Sequence, residues 1–158
     1  MPRGGMRGQM IGAVLAGLWL TFSGPAGAAE PVATTDGEAS GIRLEVQDLK
    51  VANGVATLRF TVVNESEKQL HYNTMIDPSG GEAGTVDGIY LVDAANKKKY
   101  LVVKDADKHC LCSRNLEHFA SKSSANLWAK FPAPPDSVQK IGVVVPHFIP
   151  MDDVPISH

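Results

Sequence analysis

An all-β fold, an antiparallel sandwich of about seven short strands, is what this 158-residue sequence predicts, on three observations. Apolar and polar residues alternate with a period of two over several short stretches, the mark of strands with one buried and one wet face. Tight-turn residues separate those stretches at short intervals. No long helical periodicity, internal repeat or heptad pattern occurs anywhere in the chain.

The first folded element is expected near Ile42, where Ile42, Leu44 and Val46 alternate with Arg43, Glu45 and Gln47. Asn53-Gly54 follows, and this pair favours a type I′ hairpin because both central residues tolerate positive φ. Beyond it Ala56, Leu58, Phe60 and Val62 alternate with Val55, Thr57, Arg59 and Thr61, so the two strands should pair. Asn64 to Lys68 reads as a turn and Gln69 to Tyr72 as a short strand. Asn73 to Asp87 then has prolines and glycines but no periodicity, and loops of that length in compact domains are usually functional or mobile.

The stretch GIYLVDAANKKKYLVVKDADKHCLCS, Gly88 to Ser113, predicts a hairpin from Ile89–Val92 and Tyr100–Val103 that opens onto a Cys110-Leu111-Cys112 loop. Leu116 and Phe119 are spaced as on one helical turn, so Asn115 to Ala120 reads either as a short helix or as an irregular bridge between sheets. Ala125 to Phe131 reads as a strand with Leu127, Ala129 and Phe131 on one face and Trp128 on the other. Pro132, Pro134 and Pro135 end it. The unbroken apolar run Ile141 to Val145 predicts a strand inside a sheet rather than at its edge. The tail from His147, with Phe148, Met151, Val154 and Ile156, predicts an extended segment along an edge.

Ahead of this body, residues 1–29 read as a signal peptide: Arg3 and Arg7, an apolar run from Met10 to Phe22, and small residues ending Ala26-Gly27-Ala28-Ala29. The apolar run is too short to span a bilayer comfortably. Residues 30–41 read as a flexible leader and residues 42–158 as the folded domain. Loss of the two leader arginines leaves 13 basic against 17 acidic side chains, a net of −4 with neutral histidines. That balance speaks against nucleic acid or anionic lipid as a partner. The expectation is a periplasmic or secreted chain without a membrane span after the signal is removed, meeting a protein or another envelope component.

The segments VATLRFTVVNES, GIYLVDAANKKKYLVVKDADKHCLCS, LWAKFPAPPDSVQKIGVVVPHF and DVPIS together resemble immunoglobulin-like domains of uncharacterised secreted bacterial proteins. Some of those carry the domain ahead of an OmpA-like peptidoglycan-binding module. The similarity covers Ile42 to Ser157, with CLCS, FPAPP and VVVP as its most specific parts. It implies an immunoglobulin-like sandwich and an extracytoplasmic setting. No OmpA-like module follows in this chain, so the resemblance implies no cell-wall attachment, and it implies no activity.

Chemistry is hinted at only around the cysteines. In an oxidising compartment Cys110 and Cys112 are disulfide candidates. On a straight strand their Cα atoms would lie about 6.6 Å apart, near the upper limit of about 6.8 Å for a bridge, so pairing requires a bent loop. A ring that small contributes only about 1.5 kcal/mol of chain entropy. The alternative is a copper or zinc site drawn from His109, Cys110, Cys112, His118, His71 and Met75, whose sulfur and imidazole groups suit those metals. A thiol-redox role for Cys110-Leu111-Cys112 is the third reading. It is weakened by the absence of a helix N-terminus to lower a thiol pKa. Asp77, Asp87, Asp105 and Asp107 offer oxygens for calcium but match no glycine-spaced acidic loop, and read as solvated carboxylates. Lys97 to Lys99 reads as a hairpin tip kept soluble by charge.

No nucleophile elbow, zinc-protease helix motif or phosphate-binding glycine loop occurs. The sequence therefore points to a non-enzymatic extracytoplasmic binding or interaction module without a cofactor, with the metal or thiol-redox accessory role as the alternative.

Overall fold

The computed structural model describes Met1, Gly4, residues 30–72 and residues 82–158. Among these residues the regular elements are all strands: β1 (Ala33–Asp36), β2 (Ile42–Ala52), β3 (Val55–Asn64), β4 (Leu70–His71), β5 (Tyr90–Asp93), β6 (Lys98–Leu101), β7 (His118–Phe119), β8 (Ser123–Pro132), β9 (Lys140–Val144) and β10 (Met151–Pro155). They form two four-stranded antiparallel sheets, ordered β1-β2-β3-β8 and β10-β9-β5-β6, and a two-stranded ribbon β4-β7.

The period-two alternation dictates the layering. Leu44, Val46 and Leu49 of β2, Leu58, Phe60 and Val62 of β3, and Leu127, Ala129 and Phe131 of β8 are all buried on one side of the first sheet. Leu91, Tyr100, Ile141, Val143, Met151 and Val154 are buried on the second. Two sheets each with one oily face exclude water only by closing those faces on each other. The result is a β-sandwich.

Turn chemistry sets the registers. Asn53 and Gly54 adopt φ of 51° and 77°, and Ala52 pairs with Val55, the two-residue hairpin expected of this dipeptide. In the second sheet Asp93 pairs with Lys98 around a four-residue turn. There Asp93 Oδ1 accepts from the Asn96 N–H at 3.0 Å and Oδ2 from Asn96 Nδ2 at 2.7 Å. These bonds favour the ionised carboxyl and hold Asp93 below the ordinary carboxylate range. The expected internal strand, β9, lies between β10 and β5, and the proline-rich tail supplies the edge strand β10.

One expectation is corrected. Residues 30–41 are not simply a flexible leader, because Ala33–Asp36 pairs in register with Val46 to Arg43 of β2. Gly37 then packs so tightly that a Cβ there would lie 3.2 Å from the Ile42 side chain and 3.3 Å from Phe148. Small polar residues suit such an edge, where one side faces water and backbone pairing supplies the order. Of the two readings of residues 115–120 the helical turn falls and the irregular bridge stands: Asn115 takes φ of 59°, and His118–Phe119 enters the ribbon with β4. Among the described residues ten strands are present: those read from sequence, with β1 and β7, too short to show an alternation of their own, and β10, read from sequence as an extended edge segment.

Other segments meet both edges of the first sheet. Beyond β1, Gly37 bridges Phe148, and Glu38 N–H donates to the His147 carbonyl at 2.8 Å. Along β8, Lys130 N–H donates to Leu111 O at 3.0 Å, Ser113 N–H to Trp128 O at 2.9 Å, and Val103 N–H to Lys130 O at 2.8 Å. Along β8 this pairing leaves fewer unmatched backbone groups to recruit another chain.

Candidate functional site

Cys110 and Cys112 are joined in a disulfide, with Cα atoms 5.3 Å apart and each residue 3% exposed. The bent loop that this requires is built by Asp105. Its Oδ1 accepts from the Asp107 and His109 N–H groups at 2.9 Å each, while Lys104 and Cys110 form an antiparallel bridge. Asp105 thus acts as a turn-former rather than an open oxygen ligand. The closed ring carries Cys112 onto the edge of β8, where it bridges Ala129. The disulfide loop therefore stitches the end of β6, through Val103, to β8 of the other sheet.

The proposed metal ligands disperse. Both sulfurs are used by the disulfide. His109 Nδ1 sits 3.1 Å from Glu82 Oε1, which also accepts from Arg114 Nη2 at 2.9 Å. His71 and His118 face each other across the ribbon as cross-strand partners. Met75 lies outside the described residues, as do Asp77 and most of the Asn73 to Asp87 loop. Among the described residues no group of three or more His, Cys, Asp or Glu could hold a metal ion. Asp87, read from sequence as a solvated carboxylate, has a side chain only 1% exposed and pairs with Lys104 Nζ at 3.0 Å.

A different surface gathers binding chemistry. On the outer face of the first sheet, the register aligns Glu45 with Thr61 and Asn126 in one row, and Asp48 with Arg59, Trp128 and Ser113 in the next. A β-bulge between Val46 and Asp48 breaks the alternation of β2, so that Gln47 and Asp48 are both only half-buried while Val46 and Leu49 on either side are fully buried. Gln47 Nε2 donates to Thr61 Oγ1 at 3.3 Å, and the Thr61 hydroxyl donates to Asn126 Oδ1 at 2.8 Å. The relay crosses all three strands. It leaves the Gln47 carbonyl oxygen and the Asn126 amide nitrogen without a partner among the described residues.

Beside this relay Trp128 is 38% exposed, with Lys130 Nζ 5.9 Å from its ring centre. Two of the cations on the face, Arg43 and Arg59, are matched by carboxylates, whereas Lys130 has no carboxylate partner among the described residues. Arg43 bonds Glu45 at 2.9 Å and Glu65 at 2.6 Å, and these two carboxylates raise its pKa. Arg59 pairs with Asp48 at 3.3 Å. Glu45, Gln47, Arg59, Thr61, Asn126 and Trp128 line a shallow open depression of about 560 Å³.

No protein-family model matches the chain. No curated protein matches it either. Among solved structures the chain is similar to a functionally unknown protein from Listeria monocytogenes EGD-e, at 14% identity and a TM-score of 0.42, over 73% of this chain and 70% of that one.

Sequence reasoning put Trp128 on the outward side of its strand but assigned it no role. The usable signal was local: Asn126, Trp128 and Lys130 occupy alternate positions of one strand, so a large aromatic group was destined for the wet face. Its companions Glu45, Gln47, Arg59 and Thr61 come from two other strands, and only the register joins them.

Proposed function

We propose that the chain is an exported, non-enzymatic binding module of immunoglobulin-like kinship that engages its ligand through the outer face of the β1-β2-β3-β8 sheet. The observation that carries this reading is the half-open Trp128 ring set among hydrogen-bonded polar side chains on a flat, strand-built floor. Large aromatic groups are normally drawn inward by the area they bury, and one left on the surface beside oriented amides is suited to contact with a partner. The disulfide loop supports this face from its β8 edge by pinning the backbone of Trp128 and Lys130. Export accounts for the oxidised cysteines and for the Arg3 to Ala29 leader. Nothing in the arrangement favours a metal or thiol-redox role, since thiol exchange requires an accessible sulfur and both cysteines are buried.

The test has two arms. Cells expressing the full chain are fractionated and the N-terminus of the product is read by mass spectrometry, with Ala29 or Glu30 expected at its start in the extracytoplasmic fraction. The purified chain and its Trp128→Ala variant are then sedimented with isolated envelope material. Retention of the parent and release of the variant, at unchanged circular dichroism, supports the reading. Equal sedimentation of both refutes it.

A further inference from the structure

We infer that the ligand of this face is a neutral carbohydrate chain, an inference that rests on the binding-face reading above. Three features of the depression point to that chemistry.

The first is the pairing of an aromatic plane with fixed polar groups at its edge. A pyranose ring has one face of C–H groups and a rim of hydroxyls, so it needs an apolar plate and adjacent hydrogen-bonding groups together. Trp128 supplies the plate. Asn126, two residues away on the same strand face, lies about 6.7 Å along the strand, Arg59 lies one strand spacing, about 4.8 Å, to the side, and Thr61, opposite Asn126, lies on the diagonal at about 8 Å. A sugar seated on Trp128 brings its hydroxyls within reach of these neighbours.

The second feature is the complementary valence left by the Gln47–Thr61–Asn126 relay. Thr61 is held by both amides, and the relay fixes their orientation. One outward acceptor, the Gln47 carbonyl, and one outward donor, the Asn126 amide, remain open among the described residues. A hydroxyl donates and accepts at once, so a polyol can satisfy both groups. An apolar protein side chain laid there would leave both unpaired.

The third feature is charge. Glu45 and Arg59, the only ionic groups lining the depression, are each matched by Arg43 and Asp48 at the rim. Within the depression an anionic polymer would have to compete with carboxylates already in place, and a cationic one with guanidinium groups; Lys130, beside the Trp128 ring but outside the lining, is left unpaired among the described residues. A neutral ligand meets no such competition. The open, shallow shape suits the side of a chain lying across the strands better than an isolated small molecule, which usually takes a deeper enclosure.

The experiment titrates the purified chain with chitohexaose, cellohexaose and maltohexaose by calorimetry and by amide and indole N–H NMR. Chitohexaose carries acetamide groups and the other two do not, so the comparison separates a wall-type amino sugar from a plain glucan. Binding of at least one hexasaccharide is expected, with shifts confined to Trp128, Asn126, Thr61 and Gln47. Affinity should fall about tenfold or more in Trp128→Ala and in Gln47→Ala/Asn126→Ala. It should hold in Tyr90→Ala on the opposite sheet, and change little between about 50 and 500 mM salt because no counterions are released.

Absence of binding by all three sugars at about 10 mM, a level corresponding to under 3 kcal/mol of affinity, overturns the carbohydrate assignment. Binding that survives Trp128→Ala, or that falls steeply with salt, does the same. If the sugars fail while the parent still sediments with envelope material and Trp128→Ala does not, the assignment falls and the binding face stands. If Trp128→Ala sediments like the parent, the face itself is refuted.

Discussion

Asn64 closes β3 with its side chain turned into the protein, and the whole residue is 1% exposed. Its Nδ2 donates to the Lys68 and Ala120 carbonyls at 2.9 Å each, and its Oδ1 accepts from Ser66 N–H at 3.0 Å and Ser66 Oγ at 2.7 Å. One amide thereby ties the turn after β3 to the turn before β8. In Asn64→Ala all of these bonds go, together with a longer one from Nδ2 to the Phe119 carbonyl at 3.5 Å, but the damage is uneven. Lys68 O retains the Ser66 hydroxyl and Ala120 O retains the Ser123 hydroxyl, whereas Ser66 N–H loses its acceptor. At roughly 0.5–1 kcal/mol for each bond, the expected loss is about 2–3 kcal/mol, a large share of a typical 5–15 kcal/mol stability. Asn64→Asp is the sharper probe. It keeps both Ser66 bonds yet aims a carboxylate oxygen at two carbonyls, so at pH 7 it should cost at least as much as alanine. Burial and those carbonyls raise the new carboxyl's folded pKa above its unfolded value near about 4. The penalty is therefore absent below that pH and grows as pH rises through the folded value. Urea unfolding followed by circular dichroism at several pH values reads both effects, each variant against the parent. A loss under about 1 kcal/mol for Asn64→Ala, or a pH-independent difference for Asn64→Asp, would refute the argument.

Three further outcomes are expected. Asp93 is held below the ordinary carboxylate range by Asn96, so its contribution to stability is present above about pH 4 and is lost as pH falls through the lowered value. The stability difference between the parent and Asp93→Asn should accordingly hold at neutral pH and fade in acid, and NMR titration of the Asp93 carboxyl should give a midpoint below that of the exposed carboxylates. The buried Tyr100 hydroxyl has no hydrogen-bond partner among the described residues, so Tyr100→Phe should leave stability unchanged or raise it by up to about 1 kcal/mol; a loss of that size in urea unfolding would mean that the hydroxyl is satisfied. Reduction of the Cys110–Cys112 ring should lower stability by only about 1.5 kcal/mol, because the ring is small and the two-sheet core is untouched, and a reduced chain without a cooperative urea transition would contradict this.

Much of the fold could be read directly from side-chain order. Leu58, Phe60 and Val62 announce an inward face, Asn53-Gly54 announces its own turn, and Ile141 to Val145 announces an interior strand. What escaped follows from weaker local signals. The strand Ala33–Asp36 has no large apolar residue and owes its order to backbone pairing with β2. Leu116 and Phe119 mimic a helical spacing, but Phe119 is buried from an extended strand opposite Leu70. The candidate metal ligands were grouped by closeness in sequence, whereas antiparallel pairing places His118 opposite His71 and directs His109 to Glu82. The Trp128 face was illegible for the converse reason. Its members lie up to 83 positions apart, from Glu45 to Trp128, and meet only once three strands are in register.

The bulge in β2 gives this face one more side chain than a straight strand could present. Had the chain run on without an extra residue, only one of Gln47 and Asp48 could have turned outward, and either the Thr61 hydroxyl would lose its donor or Arg59 its counterion. Ungapped alignment of a relative lacking that residue would shift every position on one side of it into the opposite phase, so kinship at this surface is better sought by allowing a one-residue gap at position 47.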